Sequence, residues 1–228
     1  MAINLAEQFS TRKSLGFYTS AQASRITRIP AWTLYSWRRN GIVKPKAKWT
    51  DEFDKEHIGY TFENLVFIRL LRILRDKGIT LFLAVKALDQ AKKRFGPPSK
   101  RWAQVRIFTD NKDVYVCESG DEWDTTVATK HNQRLADVLF GEEFARLKQR
   151  ADALLIPEEY MNSVEIDPSI QNGLPIVFDT NILTSVIHNW VQDQYTYKAI
   201  KEFYPFIPIE NIIGAEAYEA FLDKVSSN

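Results

Sequence analysis

The sequence has few of the residues that build disulfide frameworks and metal centres. Of its 228 residues, one is a cysteine, Cys117, and three are histidines. A single cysteine excludes an internal disulfide and suits a reducing compartment, so we expect a cytoplasmic protein. His57, His131 and His188 are scattered along the chain, without the Cys/His spacing of a zinc site.

Long apolar runs are also missing. No stretch reaches the roughly 18 apolar residues that a membrane span requires. Residues 1–9 hold no basic region followed by an apolar run, so we expect no secretory signal. The glycine-rich loops that cradle phosphates, G-x-x-x-x-G-K-[ST] and G-x-G-x-x-G, are absent. We therefore expect neither a membrane partner nor a cofactor.

One aspartate imitates a catalytic site. The segment 176–182 resembles the first strand of a PIN nuclease, in which an Asp, here Asp179, binds a divalent metal. Such a site needs several carboxylates that converge on one ion. The 49 residues after Asp179 are too few for the rest of an α/β nuclease. We therefore predict no catalytic residue and no metal site, and expect Thr180-Asn181 to start a helix.

Charge is distributed unevenly along the chain. Residues 1–101 contain 20 Lys or Arg against 8 Asp or Glu, whereas residues 102–228 contain 10 against 21. The net charge of +1 hides this polarity. A basic module gains sequence-independent affinity for DNA because it releases counterions from the phosphates. The acidic half would be repelled by a duplex and suits a basic protein partner.

The periodicity of apolar residues predicts a mainly α protein with a small β part. We expect a helical domain over residues 1–98, an α+β spacer with a hairpin over 99–160, and a small helical domain with short β-arms over 161–228. Gly96-Pro97-Pro98 and Pro157 mark the two boundaries, because proline and glycine interrupt regular structure.

Two short helices open the first domain. The capping box Thr19-x-x-Gln22 predicts a helix over 20–27. Pro30 favours the start of a second helix, which ends before Gly41. A basic loop follows. This arrangement is the one by which many proteins place their second helix in the DNA major groove.

The residue types on this segment predict how DNA would be contacted. Thr33, Tyr35 and Ser36 are candidates for base edges, since hydroxyl groups donate and accept hydrogen bonds. Cations on the second helix and in the loop are candidates for phosphates, and Thr19 at the start of the first helix completes the set. These cations are Arg38, Arg39, Lys44, Lys46 and Lys48. We interpret the tryptophans, including Trp32 and Trp37, as core or interface anchors.

The order of five segments between residues 17 and 95 resembles the winged helix-turn-helix domain of MerR-type regulators. They are Tyr18-Thr19, Thr33-Leu34-Tyr35, Gly41-Ile42-Val43-Lys44-Pro45, Gly59-Tyr60-Thr61 and the segment 74–81. The resemblance implies a DNA-binding head in which the loop after the second helix forms the wing, with a long insert over 47–58. It also implies double-stranded operator DNA as the partner.

The C-terminal segment resembles the small domain of unknown function that recurs in VapB-type antitoxins. Its matching motifs are Ile166-Asp167-Pro168, Gly173 to Val177, Thr180-Asn181-Ile182, Tyr204 to Ile207 and Ala215 to Tyr218. Together with a MerR-like head, this resemblance implies an antitoxin that represses its own operon and binds a PIN-domain ribonuclease toxin.

Recognition of an inverted repeat by two such heads predicts a homodimer. Short isolated strands need pairing, so we expect the two arms to supply the dimer surface. The predicted dimer residues are Ile166, Pro168, Leu174, Pro175, Ile176 and Val177.

A second interpretation remains open. A MerR-like transcription factor could instead sense a small ligand, in a pocket lined by Trp102, Tyr115 and Trp123. A ligand-dependent change in operator affinity would distinguish this regulator from an antitoxin.

Overall fold

A computed structural model describes residues 16–45, 47–50, 56–97, 105–109, 114–118, 150 and 152–226. Helices predominate in these residues and the strands are short, which confirms the predicted class, mainly α with a small β part. The helices are α1 (Ser20–Thr27), α2 (Ala31–Arg39), α3 (Phe62–Asp76), α4 (Leu81–Phe95), α5 (Thr184–Gln192), α6 (Tyr197–Phe203) and α7 (Ile209–Ser226). Two short 3-10 helices span Glu158–Tyr160 and Gln171–Gly173.

Three antiparallel strand pairs accompany the helices. They are β1 (Ala47–Thr50) with β2 (Glu56–Gly59), β3 (Val105–Thr109) with β4 (Val114–Glu118), and β5 (Val164–Glu165) with β6 (Ile176–Val177). The first pair lies in the segment that the resemblance assigns to the wing, where the sequence predicts a loop and no strands. The second pair confirms the predicted hairpin of the spacer. Residues 119–149 of the predicted spacer lie outside the described residues.

The chain divides into two compact units, Met1–Leu65 with Leu155–Asn228 and Val66–Leu154. The boundaries near residues 98 and 160 stay a prediction from the sequence. Long-range hydrogen bonds inside the first unit give the reason for the grouping. The Phe17 amide donates to the carbonyl of Asn172 over 2.9 Å, and the buried Tyr18 hydroxyl donates to the carbonyl of Gly173 over 2.7 Å. The start of the helix-turn-helix segment is therefore held by the C-terminal residues.

The C-terminal part of the first unit has its own apolar core. Val177, Ile187, Ile200, Ile207, Ile212 and Ala215 are fully buried and in mutual contact. Thr196 caps α6, as predicted, by accepting a hydrogen bond from the amide of Ala199. Helix α5 begins at Thr184 and not at the predicted Asn181. The Thr180 hydroxyl instead donates to the carbonyl of Val177 and accepts from the amide of Ile182, which closes a turn.

The two arms pair with each other in the same chain. Val164 lies opposite Val177, and Glu165 lies opposite Ile176. The need of these short strands for pairing is therefore met within one chain, and the dimer surface stays a prediction. Ile166, Pro175, Ile176 and Val177 of the predicted dimer surface are buried within the unit. Pro168 and Leu174 are half-buried, and only these two keep surface that a second copy could reach.

The second unit contains most of α3, all of α4 and the hairpin β3–β4. Thr80 caps α4 by accepting a hydrogen bond from the amide of Leu83, as its sequence position predicts. The apolar face of this unit is fully or almost fully buried. It includes Leu70, Leu71, Leu74, Leu83, Ala84, Ala87 and Leu88. Arg94 donates to the carbonyl of Val116, which ties the end of α4 to β4.

Candidate nucleic-acid interface

Helix α1 is capped at its N-terminus by two local hydrogen bonds. The Thr19 hydroxyl accepts from the Gln22 amide over 3.2 Å, and the Gln22 side chain accepts from the Thr19 amide over 2.8 Å. This is the capping box that the sequence predicts. Because the Thr19 hydroxyl already caps the helix, its role at the interface would be to position α1.

A tight turn connects α1 to α2. Arg28 adopts the left-handed conformation, with φ 60°, and ends α1. The Ser24 hydroxyl donates to the carbonyl of Ile29 over 2.7 Å, and the buried Ile29 anchors the turn. Pro30 then caps α2, where its missing N–H costs nothing.

Helix α2 has one buried and one exposed face. Leu34 and Trp37 are buried, as expected for a core face. On the other side, Trp32 is 74% exposed and Tyr35 is 55% exposed. The guanidinium carbon of Arg38 lies 5.1 Å from the centroid of the Tyr35 ring, which holds the two side chains together.

The predicted DNA-contacting residues of α2 lie at or near this exposed face. Tyr35 and Arg39 are exposed, whereas Thr33, Ser36 and Arg38 are half-buried. The side-chain amide of Asn40 donates a hydrogen bond to the Ser36 hydroxyl over 3.4 Å. The structure therefore gathers five predicted contacts on two turns of one helix and its end.

The basic loop leaves α2 through Gly41, whose φ of 70° is left-handed. The amides of Ile42 and Val43 donate to the carbonyl of Trp37, so the exit from the helix is fixed. Lys44 follows and is exposed. Lys48 belongs to β1, opposite Ile58, and only its backbone is described. Lys46 lies outside the described residues.

Tyr60 joins the end of the wing to the start of α1. Two backbone hydrogen bonds of 2.9 and 2.8 Å connect Tyr18 and Tyr60, and both side chains are buried. Burial raises the pKa of the Tyr60 phenol, and a hydrogen bond with Ser20 and the charge of Arg38 partly offset this effect. The phenol is therefore neutral at ordinary pH.

The charge of this segment has one sign. Residues 16–45 contain five Lys or Arg and no Asp or Glu. Two of these cations lie against the C-terminal helix α7. Arg25 pairs with Glu219 and Asp223, with N–O distances of 2.6 Å for both, and Arg28 lies 5.7 Å from the centroid of the Phe221 ring. The other three, Arg38, Arg39 and Lys44, lie at the end of α2 and in the loop that follows it.

The contact between α1 and α7 was not evident from the sequence. The Glu219 side chain is only 3% exposed and also hydrogen-bonds the hydroxyl of Thr184. Arg25 and Glu219 are 194 residues apart. No local pattern links them, although a glutamate among apolar neighbours in a helix signals a buried partner. The structure therefore divides the cations of the head into those bound by α7 and those on the α2 face.

A second exposed surface lies on the C-terminal helices. The Trp190 ring is 5.0 Å from that of Tyr195 and 4.6 Å from that of Phe203. We call Tyr195, Phe203 and Phe206 the aromatic patch, because they are 47%, 60% and 65% exposed. Lys201 donates to the carbonyls of Pro205 and Ile207, which fixes the turn that carries Phe206.

Among the described residues, no group of three or more His, Cys, Asp or Glu side chains is placed to hold a metal ion. Within the same part of the chain, no helix has the length and apolar character needed to cross a membrane. Asp179 is exposed in the turn after β6, with φ 58°.

Comparison with known proteins supports the geometry of the head. Residues 18–91 match the family model "MerR HTH family regulatory protein". The chain is 26% identical over 105 residues to the uncharacterised HTH-type transcriptional regulators Rv1830 of Mycobacterium tuberculosis and Mb1861 of Mycobacterium bovis. These alignments cover 46% of this chain and 45% of each relative, so the chain matches less than half the length of those proteins.

A solved structure shares the fold. The crystal structure of Rv2018 from Mycobacterium tuberculosis superposes with a TM-score of 0.58 and 18% sequence identity, over 87% of this chain and 96% of that one. This likeness concerns the fold alone. Residues 18–91 thus match a MerR-type helix-turn-helix model, and within them the capped α1, the tight turn and the two-faced α2 have the geometry of a helix-turn-helix.

Proposed function

We propose that this protein is a DNA-binding antitoxin, which represses its own operon through the head and neutralises a PIN-domain ribonuclease through the C-terminal part. The observation that best supports DNA binding is the exposed face of α2. It presents Tyr35, Arg38 and Arg39 outward, on a segment with five cations and no acidic residue. A duplex offers phosphates to the arginines and base edges to the helix.

The C-terminal part supplies the features for a protein partner. Residues 155–228 contain 11 Asp or Glu against 3 Lys or Arg, so this part repels nucleic acid. The aromatic patch is exposed and rigidly held, and aromatic side chains dominate the energetic centres of protein interfaces. The resemblance of the C-terminal motifs to antitoxin domains implies a PIN-domain toxin as the partner, and the acidic surface suits a basic one.

A homodimer belongs to the same proposal. Two heads related by a two-fold axis would read an inverted repeat, with half-sites about one helical turn of DNA apart. Pro168 and Leu174 are the members of the predicted dimer surface that retain accessible area. Sedimentation equilibrium of the full chain measures the stoichiometry directly, and a monomer at all concentrations would contradict this part.

The experiment that tests the antitoxin is co-expression with a PIN-domain ribonuclease encoded beside it. The full chain should restore growth. A double substitution, Phe203→Ser with Phe206→Ser, should abolish the rescue and leave operator binding unchanged, because the patch lies outside the head. Failure of the wild-type chain to restore growth would refute the antitoxin role.

The alternative is a MerR-type regulator that senses a small ligand, and the helix-turn-helix match supports it equally. Its predicted pocket includes Trp102 and Trp123, which lie outside the described residues, and Tyr115, of which only the backbone is described. A ligand that changes operator affinity, in a chain that rescues no toxin, would favour this alternative.

A further inference from the structure

Trp32 is not part of the apolar core. Its side chain is 74% exposed, whereas Trp37, five residues later in the same helix, is 8% exposed. Trp32 is the second residue of α2, in the first turn of the helix. In helix-turn-helix proteins, the residues near the N-terminus of the second helix are the ones that reach base edges. A partner bound to this face of α2 would therefore cover the Trp32 ring.

The surroundings of Trp32 indicate the chemistry of that partner. Residues three or four apart lie on one helix face, so Trp32, Tyr35 and Arg39 form a continuous exposed strip. Arg38 stacks beside Tyr35 at 5.1 Å. An aromatic strip bordered by two arginines, on a segment without carboxylates, complements a polyanion that also offers apolar groups.

The major groove of DNA offers one apolar group, the C5-methyl of thymine. We propose that Trp32 packs its indole against a thymine methyl in the major groove, and so selects thymine at one position in each half-site. This inference rests on the proposed DNA-binding function and adds a specificity-determining residue to it. Tyr35 and the arginines then hold the helix so that the indole reaches the base.

The test uses the full chain and DNA duplexes from which single methyl groups have been removed. Duplexes that bind the wild-type chain are first selected from a random library, and each thymine of the selected site is then replaced singly by deoxyuridine, which lacks only the methyl. Fluorescence anisotropy gives each Kd. We expect one replacement per half-site to weaken wild-type binding about fourfold, equivalent to about 0.8 kcal/mol for one buried carbon.

Trp32→Ala should bind the thymine site at least about tenfold more weakly, and its affinity should not change when that thymine becomes deoxyuridine. Phe206→Ala is the matched control, since it removes another ring of similar exposure, 65%, from the aromatic patch. It should keep the full response to the methyl. Circular dichroism should show unchanged folding in both variants, because both side chains are exposed.

Several outcomes would overturn the inference while leaving the DNA-binding function intact. One is a selected site at which no single deoxyuridine weakens binding. Another is a methyl effect of equal size in wild type and Trp32→Ala, and a third is unchanged affinity of Trp32→Ala for the thymine site. Failure of the wild-type chain to enrich any duplex would refute the proposed function itself, and the inference with it.

Discussion

Tyr18 and Gly173 lie so close together that there is no room for one added carbon atom between them. Gly173 has a left-handed φ of 82°, and a Cβ added there would lie 2.2 Å from the Tyr18 hydroxyl oxygen. Gly41 has a similar φ of 70°, but a Cβ added there would meet nothing within 4 Å. The two glycines therefore separate the cost of backbone conformation from the cost of a clash.

We predict that Gly41→Ala lowers the free energy of unfolding by about 1 kcal/mol, from backbone strain alone. Gly173→Ala should cost at least about 2 kcal/mol more, because the buried Tyr18 ring must move. In a Tyr18→Phe background the extra cost should shrink, since the nearest atom is gone. Urea denaturation measures all four variants. Equal losses for the two glycine substitutions would show that Gly173 does not meet Tyr18.

Tyr60 predicts a pH dependence of stability. Burial raises its pKa above the ordinary value of 10.0, as it also does for Tyr160 and Tyr197. A raised folded-state pKa means that the folded protein holds the phenolic proton more tightly than the unfolded chain does. The resulting stability is complete below pH about 10 and is lost as the pH rises through the folded-state pKa.

We expect the free energy of unfolding to fall as the pH rises above about 10, and to fall less steeply in Tyr60→Phe, which has no proton to lose. Urea denaturation at a series of pH values gives both slopes. The exposed Tyr35→Phe variant is the control and should keep the wild-type slope. Identical slopes for wild type and Tyr60→Phe would contradict the buried, neutral phenol.

At the scale of elements, local signals in the sequence were sufficient for the head. The capping box gave the bounds of α1, and Pro30 and Gly41 bracketed α2, because these signals act within a few residues. Long-range pairings could not be predicted in this way. The arms pair within one chain, and Glu219 meets Arg25 across 194 positions, through contacts that only the tertiary fold creates.

Local signals in the sequence also predict part of the candidate site, but not all of it. Arg38, Arg39 and Tyr35 follow from helix periodicity and charge, and the structure places them on or beside one exposed strip. Trp32 was missed because a tryptophan in a helix is usually part of the core. Trp32 lies one turn before Ser36, on the same face of the helix, whereas Leu34 and Trp37 form the buried face. Helix periodicity could therefore have placed Trp32 on the exposed face.

The ion pairs between α1 and α7 predict a stability effect. Arg25→Ala would leave the buried Glu219 carboxylate without its cation, and we expect a loss of about 2–3 kcal/mol. Adding Glu219→Gln should restore part of that loss, because a neutral amide needs no counter-charge. Arg39→Ala, on the exposed face, should change stability by less than about 0.5 kcal/mol. Thermal denaturation compares them, and a neutral Arg25→Ala would refute the pairing.

Substitution of Lys44, in the loop after α2, should change the salt dependence of DNA binding. Lys44 is exposed next to the helix end, and a phosphate contact there contributes about 0.9 to the slope of log affinity against log salt concentration. Lys44→Ala should therefore weaken all DNA sequences about equally and reduce the slope by about one. Anisotropy titrations on a selected and an unrelated duplex measure both quantities. An unchanged slope would remove Lys44 from the interface.

At the scale of the whole molecule, the chain separates two kinds of surface by charge. Residues 1–101 carry the excess of cations, and residues 102–228 carry the excess of acids. Within the first unit, α7 neutralises Arg25 and leaves the arginines of α2 for another partner. The antitoxin proposal uses this separation, because nucleic acid and a basic protein would bind opposite charges on one chain.

Above all, we propose that the exposed face of α2 binds DNA. Its most direct test is the affinity of the full chain for a selected duplex, measured over a range of salt concentrations, for wild type, for Arg38→Ala with Arg39→Ala, and for Lys198→Ala with Lys201→Ala. We predict that the α2 pair lowers affinity and reduces the salt slope by about two, while the α6 pair changes neither. Unchanged affinity and slope in the α2 pair would contradict the account.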